Sequence, residues 1–197
     1  MKRISLLVLI LLVSSGAFAQ KKEKIKGSRN VTTEQKEIGE FENIEVEDNI
    51  ELFLQQGDKS ELEIDADDNT HDAILINLSS GTLRLTTSKE VTSTKKFSVT
   101  VTYTSNFKML IAKDDANVTG LTDINLNDIT FKTSGSARIY TNVKAKVFTL
   151  MANDKSRAEL NITAENTTIE LSKNTQLKAL ISSPKMKLDM YQKAIAT

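Results

Sequence analysis

The chain has 197 residues, 26 basic and 26 acidic, and no cysteine. That length suits one domain, and the missing cysteines exclude a disulfide framework, so stability must come from an apolar core and backbone hydrogen bonds. A formal net charge of zero gives no electrostatic footprint for nucleic acid, which is not expected as a partner.

The first element is a leader. Met1-Lys2-Arg3 is a short basic start, Ile4 to Val13 is nearly unbroken Leu, Ile and Val, and Ala17-Phe18-Ala19 is a small-x-small cleavage site. These three regions in this order predict a cleavable signal peptide over residues 1–19, cut between Ala19 and Gln20. The apolar run is about half the roughly 20 residues that a bilayer core demands. No later stretch approaches that length, so no integral membrane span is expected after signal removal. Nor does a cysteine follow the leader to accept lipid. Loss of Lys2 and Arg3 leaves 24 basic residues against 26 acidic ones.

Residues 20–40 are expected to be a flexible N-terminal segment and first strand, with the lysines of 21–26 forming a solvated tail. From residue 41 onward, apolar residues recur two apart. Ile44-Glu45-Val46, Ile50-Glu51-Leu52-Phe53-Leu54, Leu62-Glu63-Ile64, Ile74-Leu75-Ile76, Leu83-Arg84-Leu85 and Val99-Thr100-Val101 all alternate. Turn-forming clusters separate them: Asp48-Asn49, Gln56-Gly57-Asp58, Asp67-Asp68-Asn69 and Ser79-Ser80-Gly81. Proline occurs once, at Pro184, which favours continuous sheet. The fold class predicted is all-β.

The second half adds a longer period. Leu110, Phe131, Leu150, Ile169 and Leu188 are spaced 21, 19, 19 and 19 residues apart. Val118, Ile139, Ala158, Leu177 and Ala196 repeat that spacing, as do the small residues Ala116, Ala137, Ser156, Thr175 and Ala194. Between them runs a polar column: Asp114, Gly135, Asp154, Lys173 and Gln192. A recurrence of 19–21 residues in strand-like sequence predicts a single-stranded β-solenoid whose coils stack like residues into ladders. The competing architecture is an antiparallel β-sandwich with evenly spaced strands. The two-residue excess is assigned to the Gly120–Asn127 loop, and the less regular strands of 41–103 to a cap. Residues 41–197 are expected to form one domain. The chain stops at Thr197, about one strand into a fifth unit, as a C-terminally shortened fragment would.

Gly27-Ser28-Arg29-Asn30-Val31, Phe41-Glu42-Asn43-Ile44-Glu45-Val46 and Asn49 to Asp58 resemble the start of the bacterial putative auto-transporter adhesin family with a head GIN domain. The likeness continues through Gly81-Thr82-Leu83-Arg84-Leu85, Val99 to Tyr103 and Ser134-Gly135-Ser136-Ala137. It covers nearly the whole mature chain. The resemblance implies a right-handed β-helix in the envelope of a Gram-negative bacterium, in the periplasm or at the outer surface, with a role in adhesion and no established catalytic residues. One departure is Lys113-Asp114-Asp115, where a small Ser-Gly turn is usual.

No motif for catalysis stands out. Asp65, Asp67 and Asp68 are the best acidic cluster, yet the glycine and closing glutamate of a calcium loop are missing, and a solvated turn is expected there. His71 is the only histidine, has no second ligand and is expected at the surface. Neither a Gly-x-Ser-x-Gly nor a phosphate-cradling loop occurs. No cofactor or metal is expected. The expectation is a non-enzymatic exported protein offering polar ladders, Asp114, Gly135, Asp154 and Lys173 among them, to a glycan or an envelope or surface protein. Tyr103, Tyr140 and Tyr191 are the candidate sugar-stacking aromatics. The alternatives are a calcium-assisted polysaccharide enzyme and a periplasmic assembly factor.

Overall fold

The computed structural model describes residues 22–197. The expected leader, with Ala17, Ala19 and the mature start Gln20, lies outside the described residues.

Alternation becomes strand almost throughout. β1 (Lys24–Lys26), β2 (Val31–Glu37), β3 (Asn43–Val46), β4 (Glu51–Gln56) and β5 (Glu61–Asp67) precede a 3-10 turn at His71–Ala73. β6 (Ile74–Ser79), β7 (Thr82–Thr87), β8 (Glu90–Thr92), β9 (Phe97–Tyr103), β10 (Met109–Ala112) and β11 (Asn117–Gly120) follow. The second half holds β12 (Ile124–Thr133), β13 (Arg138–Ala152), β14 (Arg157–Leu171), β15 (Gln176–Ser182), β16 (Lys185–Met190) and β17 (Ile195–Ala196).

β1 and β8 pair with each other, and the other fifteen strands form one sheet. The long strand β13 is its hinge. One arm leaves β13 through β11, β4, β9, β5 and β2, the other through β12, β10, β3, β7 and β6. On its far side β13 pairs with β14, which carries β15 on its first half and β16 on its second. The sheet curls so that one apolar cluster lies inside it.

This corrects the expected single-stranded right-handed β-helix. The sheet is mixed and curled, not a uniform stack of coils: β2–β5, β5–β9 and β6–β7 are antiparallel. For β6–β7 the physical cause is the connecting turn. Ser80 and Gly81 both have positive φ (50° and 72°), the two-residue hairpin geometry that reverses a chain instead of carrying it around. The antiparallel β-sandwich is not formed either, since β10 to β17 pair in parallel throughout.

The sequence recurrence is the pairing register of that parallel part. Leu110 sits against Phe131, Phe131 against Leu150, Leu150 against Ile169 and Ile169 against Leu188. The column runs on into the first half, where Leu110 lies against Ile44 and Ile44 against Leu83. From Leu83 to Ile169 every member is fully buried. The offset changes from 21 to 19 between Thr119–Tyr140 and Ile124–Val143, which places the two extra residues in the link after Gly120.

Aromatic residues close the core. Phe131 and Phe148 meet edge to face with centroids 5.3 Å apart. Phe107 lies 4.8 Å from Tyr103 and 6.5 Å from Phe41, separations at which ring pairs attract. Tyr103 is fully buried, and its hydroxyl has no hydrogen-bond partner. Burial pushes this phenol up to about 12. A buried, unpaired hydroxyl costs stability that a ring alone does not. Tyr103→Phe is therefore expected to stabilise the domain by about 1 kcal/mol, read as a higher midpoint in urea denaturation; an unchanged or lower midpoint would contradict the orphan assignment.

Candidate functional site

The polar column found in the sequence is a stack of left-handed turns. Asp114, Gly135, Asp154, Lys173 and Gln192 all have φ between 54° and 67°, and Asp48 takes the same conformation in the matching turn of the first half. Each turn hydrogen-bonds to the next through its backbone: Ser136 donates to the Asp114 carbonyl, Lys155 to Gly135, Asn174 to Asp154 and Lys193 to Lys173. Behind each turn the small residues Ala116, Ala137, Ser156 and Thr175 are buried, leaving the corner no room for larger side chains. The Thr133 and Ser156 hydroxyls bond to each other at 2.8 Å inside it.

Side chains on this column serve the turns themselves. Asp154 accepts from the Gly135 N–H at 3.1 Å and from Lys173 Nζ at 2.6 Å. Lys173 first, then that N–H, holds the Asp154 carboxyl below its usual range. Glycine suits position 135 for a second reason. A Cβ there would lie 2.8 Å from the Asp114 backbone.

A second polar row was not singled out from the sequence. Asn161 Nδ2 donates to Asn142 Oδ1 at 2.7 Å, and Asn142 Nδ2 donates to Asp123 Oδ1 at 2.9 Å. Lys144 sits 2.8 Å from Asp123 and, with Asn142, keeps its carboxyl below the usual range. The row continues in register to Leu180, 76% exposed. Its 19-residue spacing was the available signal; it sits in solvent, where no apolar pattern marks it.

The acidic cluster is structural, not the expected solvated turn. Asp67 is fully buried, and its carboxylate accepts backbone N–H bonds from Arg29 (2.7 Å), Lys95 (3.1 Å) and Lys96 (3.1 Å). Burial alone would raise its carboxyl; those N–H groups outweigh it and hold it below the ordinary range. Gly27 packs so closely that a Cβ would stand 2.2 Å from Asp67 Oδ2. Asp65 accepts from Thr33 Oγ1, and Asp68 from Ser28 Oγ and Asn30 Nδ2. The three acids thus fasten residues 27–33 to β5. His71 joins the clasp instead of lying free at the surface: Nε2 is 2.9 Å from Thr32 Oγ1 and 3.2 Å from the Ala66 carbonyl oxygen. Among the described residues, no group of three or more His, Asp and Glu side chains is placed to hold a metal ion.

Two further features shape the first half. The buried Glu45 carboxylate bridges Arg84, at 2.7 Å, and Lys113, which also reaches Glu47 at 3.0 Å. Along β2, β5 and β9 lies a polar cleft of about 820 Å³. Gln35, Gln55, Glu63, Thr100 and Thr102 line it, with Gln35 bonded to Glu63 and Gln55 to Thr102. Of the tyrosines, Tyr103 is buried, Tyr140 partly covered and Tyr191 52% exposed.

Three outcomes follow from the turns and the clasp. Gly135→Ala combines a left-handed φ with a backbone clash and is expected to lose about 1–3 kcal/mol. Gln192→Gly relieves the left-handed penalty and is expected to gain up to about 1 kcal/mol, both read from urea midpoints. The depressed Asp67 carboxyl stabilises the fold fully above the unfolded-state pKa of about 3.9. That stability is lost as pH falls through the lower folded value, because the unfolded chain binds the proton first. Acid unfolding followed by circular dichroism should therefore steepen below about pH 4, and Asp67→Asn should flatten that acid limb while lowering stability at neutral pH. An unaltered acid limb in the variant would contradict the role of Asp67.

Comparison with known proteins places these features in a family. No curated protein matches the chain. In structure it is similar to a putative adhesin from Bacteroides fragilis, with a TM-score of 0.58 at 18% identity, covering 88% of this chain and 98% of that one. A putative lipid binding protein from Parabacteroides distasonis gives 0.57 at 12% identity over the same shares. A putative adhesin from Parabacteroides merdae gives 0.50 at 16%, again over 88% and 98%. At such identities the likeness is one of fold. The family model described as putative auto-transporter adhesin, head GIN domain, matches residues 40–181, from the residue before Phe41 to β15. The chain belongs to that family.

Proposed function

We propose that this domain is a non-enzymatic, exported envelope protein that binds a glycan or a surface protein through polar rows on its sheet. The observation that carries the proposal is the exposed Asp123–Asn142–Asn161 row. Carboxamides in register repeat at the strand spacing of about 4.8 Å. Each amide keeps donor and acceptor capacity beyond its bond along the row, since an Asn side chain offers two donors and two acceptor lone pairs. Such a row suits hydroxyl-rich or extended polar ligands, engaged by several weak contacts at once. Family membership supports adhesion as the role. The turn column of Asp114, Asp154 and Lys173 is a second polar row, whose side chains are partly committed to one another.

Export to the periplasm or the outer surface is proposed from the leader sequence, and protease shaving of intact cells separates the two. The binding proposal is tested with a glycan and matrix-protein array. An Asn142→Ala/Asn161→Ala double variant, with its fold checked by circular dichroism, should lose at least about tenfold in apparent affinity, the size of one or two hydrogen bonds. Asp154→Ala/Lys173→Ala reports on the turn column separately. Silence on the array, with one envelope protein recovered stoichiometrically from extracts, would overturn adhesion in favour of an assembly role. Calcium-dependent cleavage of uronate polymers would overturn it in favour of an enzyme.

A further inference from the structure

Among the described residues the sheet has open edges at β2, β6, β16 and β17, and they differ in chemistry. β2 carries Glu34, Lys36 and Glu37, the charged pattern that keeps an edge from pairing. β16 pairs with β14 on one side and with no strand on the other among the described residues. Its inward row is Met186, Leu188 and Met190, which stack on Thr167, Ile169 and Leu171 of β14. The β14 residues are fully or almost fully buried, whereas the three above them are 47%, 40% and 42% exposed.

The backbone of this edge has a defined polarity. Tyr191 N–H donates to the Leu171 carbonyl at 2.9 Å. Strand alternation then turns the N–H and C=O groups of Lys185, Lys187 and Asp189 towards β14. Those of Met186, Leu188 and Met190 face outward. A partner strand running antiparallel must pair through these three residues.

We infer that this edge joins a second copy of the chain, as antiparallel β16 strands about a two-fold axis at Leu188. Charge chooses the register. An axis at Met186 would set Lys185 against Lys187, an axis at Lys187 would oppose two lysines, and an axis at Asp189 would oppose two aspartates. Like charges directly opposite are destabilising. With the axis at Leu188, Lys187 of each copy faces Asp189 of the other, Met186 faces Met190, and Lys185 lies beside Tyr191. Lys187 and Asp189 already stand 2.7 Å apart within one copy, on the same outward face, so both are presented for the exchange. The contact is isologous, closes on itself and leaves neither β16 edge open.

Sedimentation velocity on the mature protein, over a concentration series, tests this directly. A dimer is expected that dissociates on dilution. Lys187→Asp and Asp189→Lys should each weaken it at least about tenfold, by placing like charges opposite. The double exchange Lys187→Asp/Asp189→Lys should restore it. Because the chain has no cysteine, Leu188→Cys gives a second readout. Hydrogen-bonded antiparallel pairs have Cα atoms about 5.5 Å apart, within disulfide reach. Oxidation should therefore link the Leu188→Cys copies, whereas Met186→Cys should stay unlinked. A monomer at every concentration, a dimer indifferent to the single charge changes, or single losses that the double exchange fails to rescue would each overturn the proposal.

Discussion

Parallel pairing at a fixed offset is the constraint on which this molecule depends. A strand of β13 or β14 cannot satisfy its own N–H and C=O groups, and a parallel neighbour must reach it by a connection around the core. From β12 onward the connection is short and of constant length, so residue n stacks on residue n+19. Every position is then judged by its column. A column inside must be apolar from end to end, as Leu83–Ile44–Leu110–Phe131–Leu150–Ile169 is. A column at the corner must keep one backbone conformation, so Asp, Gly, Lys and Gln all take the left-handed turn although only glycine does so freely. The stack supplies the pairing that outweighs the local strain at Lys173 and Gln192.

The first half solves the opposite problem: how such a stack begins. Its β6–β7 hairpin folds back instead of going around, and the antiparallel ribbons β2–β5–β9 and β6–β7 close the sheet's two arms. Buried aromatics fill the space where the regular columns stop. The buried Asp67 carboxylate gathers three backbone N–H groups, from Arg29, Lys95 and Lys96, where the chain enters the β2 and β9 ladders on either side of β5. A hydrogen-bonded carboxylate in that position fixes geometry more than it adds cohesion, since its desolvation offsets much of what the bonds return.

What the sequence revealed follows from this division. The period of 19 was legible because the stacked half repeats without interruption, and the pairing register reproduces its columns. The curled mixed sheet was not legible, because Ile44 and Leu83 join the same column at spacings of 66 and 39 residues, which no fixed period reveals. Asp67 looked like one more turn aspartate; its burial depends on Gly27, Arg29 and the 95–96 backbone, all distant in sequence. His71 was misplaced for the same reason. The Asn142–Asn161 row carried the right spacing yet lay among polar neighbours, where periodicity has no apolar signal to stand against.

The same register that builds the core also builds the surface. A side chain exposed on one strand is repeated, or answered, about 4.8 Å away on the next. Rows of amides and alternating charges are therefore a by-product of the fold before they are a binding device, and fold by itself assigns no function. What distinguishes a row used for recognition is the hydrogen-bonding capacity it leaves unspent. Asp154 and Lys173 neutralise each other, so the turn column answers much of its own charge. Asn142 and Asn161 do not, because an amide that donates along the row still offers its second N–H and a lone pair to solvent. On that criterion the carboxamide row, and not the turn column, is the part of this surface with most to offer a polar ligand.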